Sequence, residues 1–469
     1  MQILKKLGFF LGPLLFLVLL FIPEQSLQTK VFAVGAWMLT WWIFEVFPIF
    51  ITAMLPMVFF PALGILSVTD TFAPYGNPII FLFLGGFIIA LAMEERRLHE
   101  RIAFGLIRLT GTKPRGIILG FMLATAIVAM WISNTATAVM MLPIALSVIN
   151  LMRDQVQDET MLKRFQLLMM LAVAFAANIG GTVTLIGTPP NLVFAGYYFE
   201  LTGQDFGFGR WLMIGIPVGF SLLFATYFVL TRLVYPIHSK PLDGVKELFD
   251  KKWKELGKMS LPEKLVLAVF SFTVTLWIFA SPINDWLGTR ALNNTNIAMA
   301  GGILMFIVPV SFSKSEFILD WKSTSRLPWG ILILFGGGLC LAKGLETAGI
   351  IDQIGAWVSD NVHTSPLVIC IVLTGIALFA TEVMSNVALV TVLLPVVIGI
   401  AQSMNIDPVY LSIPVTLAAS CAFMMPISTP PNAVVYSSGY VTVGQMMKAG
   451  IWLNLLAIII IVGLCSLLL

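Results

Sequence analysis

Apolar stretches of roughly twenty residues, the length of a membrane-crossing helix, succeed one another along the whole chain, with charge confined between them. Inside hydrocarbon, a backbone satisfies its N–H and C=O groups only as a helix or a closed barrel. Of the 469 residues, 58% are apolar or aromatic and only 11% are Asp, Glu, Lys or Arg, against about 25% charged in a soluble domain. That excludes a cytosolic enzyme, a nucleic-acid binder and a disordered scaffold. It predicts an all-α polytopic membrane protein.

Clear apolar segments occupy 8–23, 31–66 (long enough for two short spans), 78–93, 166–186, 210–235, 263–283, 294–311, 327–345 and 447–469. The first, preceded by Lys5 and Lys6 and ending at Pro23, lacks a small-residue cleavage site and reads as a retained span. Cys340, Cys370, Cys421 and Cys465 fall in apolar segments and read as small core residues. His99, His238 and His363 fall in or beside hydrophilic connections, which argues against metal chemistry. A net charge of +3 is too small to imply a polyanionic partner.

Two regions, 116–152 and 366–403, are apolar for nearly their whole length but are interrupted at mid-point by Ser133-Asn134 and Ser385-Asn386. A polar tip between two short arms predicts a re-entrant hairpin; a pair of ordinary spans joined by a tight turn is the rival. Loop charge sets the orientation. Arg96, Arg97, Arg101, Arg108, Lys113 and Arg115 crowd one connection, and Lys240, Lys246, Lys251, Lys252, Lys254, Lys258 and Lys264 crowd another. The 346–363 connection holds Glu346, Asp352 and Asp360 without Lys or Arg. Basic connections face the cytoplasm, so the N-terminus is expected inside, the 116–152 hairpin opens inward and the 366–403 hairpin opens outward.

The two halves repeat. Phe83-Leu84-Gly85-Gly86 returns as Leu334-Phe335-Gly336-Gly337, Ser133-Asn134 as Ser385-Asn386, Pro143 as Pro395, and Thr188-Pro189-Pro190-Asn191 as Thr429-Pro430-Pro431-Asn432. Four landmarks in one order indicate a duplication. With the charge argument it is an inverted repeat, the mark of a secondary transporter. The expected units are an N-terminal repeat over 1–235, an amphipathic cytoplasmic linker over 236–264, and a C-terminal repeat over 265–469.

The paired prolines forbid helix in the residue before them and remove backbone donors. Segments 166–200 and 408–440 are therefore expected to break at Gly187-Thr188 and Ser428-Thr429, leaving carbonyls that survive at membrane depth only where they line a polar cavity. Carbonyl, hydroxyl and amide oxygens are hard neutral ligands suited to Na⁺. Helix N-termini and hydroxyl or amide donors suit carboxylates. With no Lys, Arg or His in either tip or either break, a bound dianion needs co-bound cations.

The tips and the Gly-Thr-Pro-Pro-Asn and Ser-Thr-Pro-Pro-Asn breaks resemble the divalent anion–sodium symporter family, the INDY-type di- and tricarboxylate carriers, over essentially the whole chain. The resemblance implies eleven spans, two re-entrant hairpins, a homodimer in the lipid bilayer, and a transport domain moving as an elevator. It implies one Na⁺ among Ser133, Asn134 and Gly187, and another among Thr381, Met384, Asn386 and Ser428. Substrate carboxylates would meet Ser133, Asn134 and Thr135 from one tip and Ser385 and Asn386 from the other, with Thr188, Thr429 and Pro430 closing the site. Two departures stand out. Val387 replaces a usual threonine beside the substrate, and Ala129 lacks the hydroxyl that Thr381 has four residues before its tip serine.

The reading is a Na⁺-coupled importer of C4-dicarboxylates (succinate, malate, fumarate) in a bacterial inner membrane, without an organic cofactor. A Na⁺-independent exchanger, a citrate or sulfate carrier, and an ion channel are the alternatives; no enzyme motif is present. Glu382, three residues before the second tip serine, is expected either to hold the hairpin or to tune the ion site. Glu45 is a further intramembrane carboxylate, and Lys343 reads as a snorkelling or structural cation rather than a ligand.

Overall fold

The computed structural model describes the chain except residues 1, 23–25, 156–157, 238–243, 290 and 363, and the side chains of 2–4 and 154–155. Pro23, His238, Lys240 and His363 thus lie outside the described residues. The fold is all-α and polytopic, with one short antiparallel pair, Pro309–Ser311 with Glu316–Phe317, as its β structure among the described residues. Eight helices of 18 or more residues are apolar enough to cross a membrane, and five shorter apolar helices accompany them. The Glu159–Val183 helix is the centre of the molecule, with its most apolar stretch wholly buried. The Val443–Leu468 and Leu261–Leu287 helices expose most of theirs, as lipid-facing helices do.

The repeat is legible in the elements. Helices Leu98–Ile107, Pro114–Ala129 and Asn134–Gln155 return as Ile350–Asn361, Pro366–Ala380 and Asn386–Ser403, each starting 252 residues later (350 − 98, 366 − 114, 386 − 134). Pro189–Thr202 returns as Pro430–Tyr436, 241 residues on (430 − 189). Both serine–asparagine tips lie where one helix ends and the next begins.

The structure refines the bounds of two features. The 31–66 segment holds two apolar helical stretches: Leu27–Ile43 is followed by Ile49–Ala62, itself divided into Ile49–Thr52 and Leu55–Ala62. Glu45 at φ 44° and Pro48 at the N-cap turn the chain between them. The breaks also begin earlier than their prolines. The first helix stops at Val183 and the second at Ala419, while Pro189 and Pro430 open the following helices at the first helical position, where a missing N–H costs nothing. Each break is thus an unwound segment, 184–188 and 420–429, rather than a point.

Polar connections are stitched on one side. Arg101 pairs with the buried Glu263 at 2.8 Å and donates to Leu256 O and Gly257 O, while Arg108 pairs with Asp250 at 2.7 Å. Trp253 lies under both guanidinium groups. The linker helix Val245–Glu255 buries Val245 and Phe249, as its amphipathic sequence requires. All four cysteines are free and buried. Lys343 pairs with Asp70 at 3.3 Å.

Candidate functional site

Each hairpin is pinned to the neighbouring break by a threonine hydroxyl, in opposite directions. In the second half, the Thr381 hydroxyl faces Ala419 O at 2.6 Å and Asn386 Oδ1 at 2.9 Å. In the first half Ala129 holds the corresponding place, and the hydroxyl comes from the break itself: Thr184 donates to Met130 O. The hydroxyl missing at Ala129 is therefore supplied from across the contact. Comparison of the tips could not find it, because Thr184 lies outside them.

The asparagine closing each Thr-Pro-Pro-Asn stretch folds back over its own break. Asn191 Nδ2 donates to Thr184 O at 2.8 Å and Gly181 O at 3.1 Å. Asn432 Nδ2 reaches Ala422 O and Met425 O at 3.1 Å and Ser428 Oγ at 3.2 Å. These amides satisfy carbonyls that unwinding freed, the requirement for irregular backbone at membrane depth. The repeated motif contained both residues, but its prolines drew attention away from them.

The second break is longer, and Glu382 explains how it is held. Its buried carboxylate accepts hydrogen bonds from the N–H groups of Phe423 at 2.8 Å, Met424 at 3.0 Å and Met425 at 3.1 Å, and from Asn454 Nδ2 at 3.0 Å. Three consecutive amides turned onto one anion make a nest. Glu382, on the second hairpin, thereby ties that hairpin to the unwound segment.

These contacts bring the tips and breaks around one cavity of about 950 Å³. Ser133, Asn134, Thr135, Ser385, Asn386 and Val387 line it from the tips, and Gly187, Thr188, Ser428, Thr429 and Pro430 from the breaks. Thr381 and Met384 do not line it: Thr381 is wholly buried behind Asn386, and the Met384 side chain packs into apolar surroundings. Helices Asn134–Gln155, Pro189–Thr202 and Asn386–Ser403 all begin at its wall, each bringing the partial positive charge of an N-terminus.

Oxygens for a cation are concentrated on the first tip. Asn134 Oδ1 is buried with no hydrogen-bond partner. A Cβ added at Gly181 would lie 2.6 Å from that oxygen, so glycine is what lets the helix approach it. A Cβ at Gly187 would lie 2.5 Å from Gly181 O and 3.0 Å from Met130 O. Neutral oxygens thus crowd together where the resemblance places the first Na⁺, and an orphaned carbonyl there fits a cation ligand.

Charged lining residues among those described are Glu45, Glu94 and Arg326. Arg326 is exposed and pairs with Glu95 at 2.8 Å and Glu94 at 3.9 Å. Glu45 is exposed as well, a rim residue rather than a buried carboxylate. The tips and breaks contribute no cation. The sequence reading missed Arg326 because it lies in the polar stretch before the Trp329–Thr347 helix, outside any repeated motif.

A family model described as the sodium:sulfate symporter transmembrane region matches residues 6–468. The chain belongs to this family. Among its relatives is the sodium-dependent dicarboxylate transporter SdcS of Staphylococcus saprophyticus, 40% identical over 98% of this chain and 90% of the relative. SdcS of Staphylococcus aureus strain NCTC 8325 is 41% identical with the same coverage. Solved structures share the fold at low identity. MtrF of Neisseria gonorrhoeae matches with a TM-score of 0.57 and 15% identity, over 86% of this chain and 82% of that one. The YdaH transporter of Alcanivorax borkumensis matches with a TM-score of 0.56 and 13% identity, over 88% and 89%. As a member of the symporter family, the chain is a multi-pass membrane carrier and not an enzyme.

Proposed function

We propose that this carrier imports C4-dicarboxylates such as succinate, malate and fumarate together with Na⁺. The observation that carries the reading is the composition of the cavity. Hydroxyls, amides and helix N-termini face it, yet the only lining cation among the described residues is Arg326, on the rim and engaged by Glu94 and Glu95. A dianion brought out of water to neutral donors alone is strongly disfavoured. Sodium ions at the two tips supply the missing charge, so substrate binds only with the ions in place. The two SdcS relatives, sodium-dependent dicarboxylate transporters, support sodium and dicarboxylate as cargo.

The ion ligands are Ser133, Asn134 and Gly187 in the first half, and Asn386, Ser428 and the backbone around Thr381 and Met384 in the second. Substrate meets Ser133, Asn134, Thr135, Ser385 and Asn386, with Thr188, Val387, Thr429 and Pro430 around it. Thr184 completes the first half with the hydroxyl that Ala129 lacks, which weakens the case for a Na⁺-independent exchanger. The cavity rim lies at Glu94, beside the basic connection that begins at Arg96. By the charge rule that end is cytoplasmic, so the conformation is inward-facing, with the N-terminus inside. The hairpins and breaks, bonded to one another, move as an elevator unit against the remaining helices of a homodimer in the bacterial inner membrane.

Radiolabelled succinate uptake into proteoliposomes tests this, with an inward Na⁺ gradient set against equimolar K⁺ and against internal succinate. The expected result is uptake that needs Na⁺ and no internal substrate. Uptake that ignores Na⁺ but needs internal dicarboxylate would show an exchanger. The finer substrate prediction concerns Val387, which lines the cavity without a hydroxyl. Val387→Thr adds a hydroxyl donor worth about 0.5–1.5 kcal/mol. The KM for succinate at saturating Na⁺ should fall roughly two- to tenfold, or the order among succinate, malate and fumarate should change. An unchanged KM and order would place the side chain away from the bound carboxylates.

A further inference from the structure

We propose that Asn178 is a positioning residue that couples the two ion sites, an inference that rests on the symport reading above. Asn178 is 1% exposed and lies on the Glu159–Val183 helix of the first half, one turn before Gly181, whose backbone abuts the Asn134 amide. Its side chain crosses to the second half. Nδ2 lies 3.1 Å from Ala422 O, 3.1 Å from Thr429 Oγ1 and 3.2 Å from Asn432 Oδ1. Ala422 O only accepts, so the NH2 group of the amide must face it. Asn432 then passes the contact on, donating to Ser428 Oγ at 3.2 Å. A first-half helix wall of one ion site is thereby two hydrogen bonds from a ligand of the other.

No repeat demands this residue. Counted from the ends of the two helices at Val183 and Ala419 (419 − 183 = 236), the matching place is Pro414 (178 + 236 = 414), so the second half has no counterpart. The bridge is therefore single, and its buried setting makes its hydrogen bonds matter more than surface ones. A cation drawn between Asn134 and Gly187 fixes the helix turn that carries Asn178. That turn in turn fixes Thr429 and, through Asn432, Ser428. Coupling of this kind is reciprocal: each ion raises affinity for the other by the same factor, commonly fivefold or more.

The experiment is the Na⁺ activation curve of succinate uptake in proteoliposomes, for the unaltered protein and for Asn178→Ala. The expected result is a sigmoidal curve for the unaltered protein. In the variant the Hill coefficient falls towards one and half-saturation shifts to about fivefold higher Na⁺. A loss of folded protein alone would lower maximal uptake and leave the shape of the curve intact. Should the alanine variant fail to fold, Asn178→Ser, which keeps a short donor, is expected to show the same change in smaller measure. Na⁺-dependent thermal stabilisation in detergent, without substrate, reads the same coupling independently of transport. A sigmoidal curve that either variant leaves unchanged would overturn the inference while sparing the symport reading. So would a hyperbolic curve for the unaltered protein, whereas uptake indifferent to Na⁺ would overturn both.

Discussion

Glu382→Ala is expected to abolish succinate uptake and to lower the thermal stability of the purified carrier by several degrees or more. The carboxylate holds three consecutive backbone N–H groups and the Asn454 amide, all between 2.8 and 3.1 Å. Without it those buried donors lose their acceptor at membrane depth, at a cost of about 1–3 kcal/mol each. The unwound segment 420–429 would have to collapse towards helix or draw in water, and Ser428 and Thr429 would leave the cavity wall. Glu382→Gln separates charge from shape. Glutamine keeps one accepting oxygen but turns an NH2 group towards the amides that Oε2 accepted, Met424 and Met425. It should therefore be intermediate in melting temperature and well below the unaltered protein in uptake. Wild-type melting and uptake for the alanine variant would show that the segment is held by other contacts.

The same residue illustrates how far the sequence reaches. Apolar length and charge placement carry the all-α membrane fold, since hydrocarbon leaves the backbone few options. The duplication located both tips and both breaks, because four landmarks recur in order, and most of the residues so marked do line one cavity. What the duplication could not show is what it does not duplicate. Glu382 aligns with Met130 and Asn178, counted from the helix ends, with Pro414, and the Thr184 hydroxyl answers Ala129 from the opposite side of the contact. These are long-range hydrogen bonds, such as the one between Asn178 and Asn432, 254 residues apart in sequence. Local pattern carries no record of them. The extent of each break was hidden for a related reason: proline marks where the next helix starts, while the end of the previous one is set by tertiary contacts such as those of Glu382.

Removal of either tip asparagine should abolish uptake, but the two variants should differ in stability. Each amide stands at the N-terminus of a helix on the cavity wall, one opening Asn134–Gln155 and the other Asn386–Ser403. Hydrogen bonds and ligand contacts to charged groups are worth about 1.5–3 kcal/mol each, so losing one costs roughly 10- to 150-fold in affinity. Because ion and substrate bind together, the loss falls on both. Asn134 Oδ1 is buried and unpartnered, so in the absence of Na⁺ it already costs stability. Asn134→Ala removes that orphan and should melt, without Na⁺, at or above the temperature of the unaltered protein. The stabilisation that Na⁺ normally confers should disappear. Asn386 Oδ1 instead accepts from Thr381, which keeps Ala419 O as its other acceptor. Asn386→Ala should therefore melt slightly lower without Na⁺ and lose the same ligand-dependent gain. Thermal unfolding with and without Na⁺, beside uptake, separates the cases. Normal uptake by either variant would refute the two-tip site. A Na⁺-free melting temperature for Asn134→Ala several degrees below that of the unaltered protein would show that its carbonyl already has a protein partner, leaving it no free lone pair to offer an ion.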